Sequence, residues 1–113
     1  MPAIAFAVPI LPGKEEQDRD DMAETAGPRR EEAEAAWKRH GITRNAVWHQ
    51  QTPDGTLAVV FIEAEDVDAA MQGMASSDDP FDKWFRESIK EVHGIDIASD
   101  PPPQSEQLLD IRG

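Results

Sequence analysis

Three histidines are the side chains of this sequence that change charge near neutral pH, and their neighbours decide what each can do. His49 stands in the alternating run "TRNAVWHQQ" (43–51), with Asn45 and Gln51 at same-face spacing. If the next run, "LAVVFIEAE" (57–65), carries Glu63 to that side, the four make a polar set in apolar surroundings, as ligand sites do. His49 would then be a base for proton transfer, oriented by Asn45 or Glu63. The plainer alternative is a histidine hydrogen-bonded across a subunit interface. His40 and His93 each precede a glycine at an expected helix end, where a cationic side chain complements the helix dipole.

The acidic clusters invite a metal reading. "SSDDPFDKWFRESI" (76–89) sets three aspartates around a proline, and "EAEDVD" (63–68) crowds four carboxylates. Neither follows the calcium-loop pattern, no two histidines stand at ligand spacing, and there is no cysteine. No metal or other cofactor is expected. The aspartates fit a helix start instead: Asp79 as N-cap, Pro80 in the first turn, Asp82 adding favourable charge, with Ser77 or Asp78 as alternative caps. Ser76, Ser77, Ser88 and Ser99 lack a nucleophile-elbow context, and no glycine-rich loop follows a strand.

These groups must be positioned by a short list of elements. "AIAFAVPI" (3–10) alternates small and large apolar residues, which predicts a strand buried on both faces and ended by Pro9 and Pro12-Gly13. Residues 14–40 are helical in composition. Pro28 cannot donate to the Glu24 carbonyl, so one kinked helix is expected, with Met22, Ala26, Ala33, Trp37 and His40 along one face and Gly41 as its stop. "TPDGT" (52–56) joins two β-branched, aromatic runs as a hairpin. A type I turn closed by Gly55 would place Trp48 near Val60 and His49 near Val59. Asn45, Val47, His49, Leu57, Val59, Phe61 and Glu63 would then share one face, and Ala46, Trp48, Ala58, Val60 and Ile62 the other. Asp66 or Asp68 caps a short helix, and a second runs from the aspartate cluster to His93, with Phe81, Trp84, Phe85, Ile89 and Val92 inward. The proline-rich stretch 100–104 is a stiff connector to a final edge strand in "EQLLDIRG".

The 113 residues suit a single domain, 1–113, large enough to fold without disulfides or metal staples. Eleven basic against 23 acidic residues leave a net charge of −12, which repels nucleic-acid backbones and anionic membranes but tolerates neutral or cationic small ligands. No stretch approaches the roughly 20 apolar residues that cross a bilayer, and the N-terminus lacks a basic leader segment. A cytoplasmic location is expected. The order strand, helix, strand, strand, helix pair, strand is the α+β ferredoxin-like βαββαβ pattern, an antiparallel sheet with helices on one face. "LAVVFI" is apolar on both sides, so the uncovered face needs hiding, and a second copy would do it.

In that layout the chain resembles the dimeric α+β barrel superfamily, which includes the antibiotic-biosynthesis monooxygenase-like proteins. "SDDPFDKWF" (77–85) is the local likeness: a small-residue turn leading into a helix with repeated aromatics. With "GIT" (41–43), "VW" (47–48) and "HGID" (93–96), the chain is similar to a group of small bacterial proteins without an assigned activity. The resemblance implies two sheets packed as a barrel, a cavity between sheet and helices, and aromatic substrates oxidised without metal or flavin. Haem-degrading members use an asparagine on the first strand, and "AIAFAVPI" has none, so that role is not expected.

The leading expectation is a homodimer that binds a small apolar or aromatic molecule between sheet and helices, lined by His49, Trp48, Phe61, Trp84 and Phe85. A cofactor-independent monooxygenase-like enzyme with His49 as base is the alternative. A structural or regulatory dimer with a filled interior is the third.

Overall fold

A computed structural model describes all residues, 1–113. Three strands and four helices alternate as β1 (Ala3–Pro9), α1 (Glu15–Ala26), α2 (Arg30–His40), β2 (Ile42–Thr52), β3 (Gly55–Ala64), α3 (Val67–Ser76) and α4 (Pro80–His93). The fold is α+β, an open antiparallel sheet of order β1-β3-β2 with helices on one face, and it is compatible with the ferredoxin-like pattern. No helix is long and apolar enough to cross a membrane.

Residues 14–40 form two helices, which corrects the single kinked one. Gly27 leaves the helical region at φ −116° and ψ −100°, and Pro28 has no N–H to re-enter it. The Glu24 carbonyl instead accepts from Gly27 N at 3.3 Å and Arg29 N at 2.9 Å, which closes α1, and α2 restarts at Arg30.

The hairpin is where expected, but its register is one residue off. Thr52 pairs with Gly55, so the link is the two residues Pro53 and Asp54 rather than three. Thr52 Oγ1 donates to the Gly55 carbonyl at 2.8 Å and accepts from Asp54 N at 3.2 Å, and Gly55 takes φ +128°, which a side chain would oppose. Trp48 therefore lies opposite Val59, Asn45 opposite Ile62, and His49 opposite Ala58. A slip of one exchanges the faces of one strand relative to the other.

The helix-side face carries Ile4, Phe6, Val8, Asn45, Val47, His49, Ala58, Val60 and Ile62. Phe6, Val8 and Ile62 join Ala33 and Ala36 of α2, Ala70 and Met74 of α3, and Phe81 and Phe85 of α4 in one core. Trp37 meets Phe81 and Phe85 edge-on at 6.0 and 5.5 Å between ring centres. The opposite face carries Ala5, Ala7, Trp48, Leu57, Val59, Phe61 and Glu63, and no element of the chain covers it; Trp48 is 52% exposed.

The last two helices start as their sequences direct. Asp66 Oδ1 accepts from Ala69 N at 3.1 Å, Asp79 Oδ1 accepts from Phe81 N at 2.9 Å, and Pro80 opens α4. Gly94 ends α4 in the left-handed region. The expected final edge strand does not form. Pro101, Pro102 and Pro103 offer no N–H, and only Ser105 N reaches β1, at the Ala5 carbonyl, 2.7 Å. Leu108, Leu109 and Ile111 beyond it stay exposed.

Candidate functional site

Helix α1 has little to bury by hydrophobicity: Met22 is its one large apolar residue. It is held by polar bonds instead. Ser88 Oγ donates to Asp21 Oδ2 at 2.6 Å and Gln17 Nε2 to Glu91 Oε2 at 2.5 Å, tying α1 to α4. His49 Nε2 donates to Asp18 Oδ2 at 2.6 Å, tying α1 to the sheet. The carboxylate can only accept, so Nε2 carries the proton in this pair. Asp18 is 4% exposed, and it is the single buried residue of the helix.

Asp18 forms part of the wall of a cavity of about 80 Å³ between the helix-side face and α1, α3 and α4. Phe6, Val60 and Ile62 floor it, Met22, Met74 and Phe85 roof it, and Ile95, Ile97 and Pro102 from the segment after α4 fold across its side. That is space for about three waters at roughly 30 Å³ each, or for a short alkyl chain, and a ring enters where the methionines give way. Thirteen of the 17 lining residues are hydrophobic. The polar exceptions are Asp18, Asn45 and His93. His93 is committed, since its Nδ1 donates to the Pro9 carbonyl at 2.9 Å and fixes the end of α4 against β1. Asn45 is not. Its Oδ1 is buried and receives no hydrogen bond, the one such side-chain atom in the protein.

A second histidine–carboxylate pair lies elsewhere. His40 Nε2 donates to Asp82 Oδ2 at 2.9 Å, joined by Arg39 Nη2 at 3.4 Å, and the same Arg39 nitrogen lies 3.1 Å from Asp79 Oδ1. Asp82 is 2% exposed. Burial opposes its charge, but hydrogen bonds from Ser77 and His40, the His40 charge and a bond from Arg39 outweigh that, holding its carboxyl below the usual range. Both residues stand where the sequence placed them, His40 in the last turn of α2 and Asp82 in the first turn of α4, and the structure adds that they pair with each other.

No protein-family model and no curated protein matches the chain. The site is therefore read from its geometry.

The structure brings some of the anticipated residues together and parts the others. Asn45 and Phe85 line the cavity, and His49 stands behind Asp18 at its wall. Glu63 points from the open face, where it accepts from Thr43 Oγ1 at 2.9 Å, and the register keeps it from orienting His49. Trp48 and Phe61 also lie on the open face, Phe61 under the Arg44 guanidinium at 5.3 Å. Trp84 is half-buried beneath Arg29, 4.4 Å from its ring centre, rather than in the cavity wall. No three His, Asp or Glu side chains converge as metal ligands.

Asp18 is the residue that sequence reasoning missed. The inward stripe through Met22 and Ala26, carried one turn towards the N-terminus, lands on it. Its setting in a helix rich in carboxylates made it look like one more solvated charge.

Proposed function

We propose that the chain is a small cytoplasmic homodimer that binds a small, largely apolar molecule in the cavity between its sheet and its helices. The observation that carries this reading is the cavity itself, apolar nearly throughout yet with Asn45 in its wall, a residue whose Oδ1 is buried without a partner. Leaving such an atom unpaired costs about 1–3 kcal/mol, which a ligand's donor would recover. A filled structural interior gives no reason to keep the amide there.

The uncovered sheet face supports the dimer. Leu57, Val59, Phe61 and Trp48 present an apolar surface flanked by the alanines of β1, the sort of face that a second sheet covers in a ferredoxin-like barrel. Native mass spectrometry of protein taken from its own cells tests both parts. A dimer carrying an added small mass is expected. A monomeric mass would remove the dimer, and a dimer with no added mass at any desolvation energy would remove the ligand.

A further inference from the structure

We infer that the ligand is a small apolar cation, an alkyl- or arylalkylammonium, bound through Asp18 and Asn45. This deepens the ligand reading above and rests on it. The polar groups of the cavity wall are acceptors apart from the Asn45 amide nitrogen, and the one charged group among them, Asp18, is an anion. Asn45 Oδ1 is buried without a donor. Asp18 spends Oδ2 on His49 Nε2, while its Oδ1 receives no hydrogen bond from the protein. His93 uses Nδ1–H on the Pro9 carbonyl, so in its neutral form Nε2 is an acceptor too.

A ligand that fits must therefore bring at least one donor for the Asp18 carboxylate, on a body that is otherwise apolar. An alcohol or phenol supplies one donor but also an oxygen with lone pairs. An ammonium supplies three donors and none. Charge points the same way. When His49 is neutral, Asp18 leaves a net negative charge at the wall of an apolar cavity, and a buried charge is stable only when paired. The protein's −12 favours the approach of a cation and opposes a carboxylate. The thioethers of Met22, Met71 and Met74 can reshape around differing alkyl or aryl bodies.

Benzylamine, benzyl alcohol and benzoate share one ring and differ in the polar group, so they separate these terms. Calorimetric titration of each into the full-length protein at low salt is the test. Benzylamine should bind at least about tenfold more tightly than benzyl alcohol, the scale of one charge-assisted hydrogen bond, and benzoate should not bind. In Asp18→Asn the preference for the amine should fall to within about twofold, and Asn45→Leu should weaken the amine while leaving the sheet intact. Equal binding of amine and alcohol, or any preference for benzoate, would overturn the cation and leave an apolar-ligand site standing. Failure of all three to bind the folded wild-type protein would overturn both readings. The comparison among ligands uses wild-type protein, so it holds even where a variant does not fold.

Discussion

Two histidine–carboxylate pairs do opposite things in this protein. His40 and Asp82 are 2.9 Å apart, nearly buried, and supplemented by Arg39 and Ser77. Even the helix beneath them is cut away: a Cβ on Gly73 of α3 would stand 2.6 Å from His40 Nδ1. His49 and Asp18 are closer still, at 2.6 Å, but the carboxylate has no other donor and borders empty apolar space. The first pair is saturated and the second is unfinished. Bond length does not distinguish a structural pair from a site; the count of unsatisfied lone pairs and the space beside them does.

Stability should separate the pairs most strongly. Asp82→Ala strands a nearly buried His40 and frees Arg39, and removing one partner of a buried pair costs about 3 kcal/mol. Asp18→Ala should cost only about 1 kcal/mol, because the His49 side chain keeps 15% of its surface exposed and can rehydrate. Urea denaturation of the two variants checks this. Equal losses would mean that both pairs are structural.

Gly73→Ala sharpens the same contrast without touching a charge. Alanine is the better helix former by about 1 kcal/mol, yet here it would push the His40 ring off Asp82, so a net loss of about 1–2 kcal/mol is expected. A melting temperature unchanged or raised would show that the His40 ring has room to move. Acid titration gives the next smaller effect. The Asp82 carboxyl is held below its ordinary value in the fold, so its contribution is complete above the unfolded carboxylate range. It is lost as pH falls through the folded value. The stability gap between wild type and Asp82→Asn should therefore be present above the ordinary carboxylate range and close as pH falls below it. A gap that stayed open below that range would contradict the stabilised carboxylate.

The sequence made the elements plain and left their mutual facing obscure, and the reasons are local. Caps at Asp66 and Asp79, stops at Gly41 and Gly94 and the Pro53–Asp54 turn are written in residue types that act within a few positions. The pairings His49–Asp18 and His40–Asp82 join residues 31 and 42 positions apart, beyond any local signal. The facing of His49 turned on whether Gly55 belongs to the turn or to β3, since one residue of slip moves its cross-strand neighbour from Val59 to Ala58 and leaves Glu63 on the other face. His40 was ambiguous for a different reason. It ends the inward stripe of α2 and also stands where a cation suits the helix dipole, and it holds both places, packed against Gly73 in the last turn of α2. The last segment is apolar enough for a strand, but a strand needs donors along its edge, and three successive prolines precede it.

The smallest expected effect has the opposite sign. Asn45→Leu replaces a buried, unpaired amide oxygen with an apolar side chain of similar volume beside Ile62 and Met22. Removing an unsatisfied polar atom from such a wall should stabilise the ligand-free protein by about 1 kcal/mol. A residue that weakens the fold while lining a cavity is what a binding site retains at a cost to stability. The structural pair predicts the reverse for its own members, since every substitution there loses a satisfied contact. Chemical denaturation of ligand-free wild type and Asn45→Leu measures the difference. A destabilised variant would mean that Asn45 Oδ1 has a partner in solution, and the distinction between a saturated and an unfinished pair would then fail at its most specific atom.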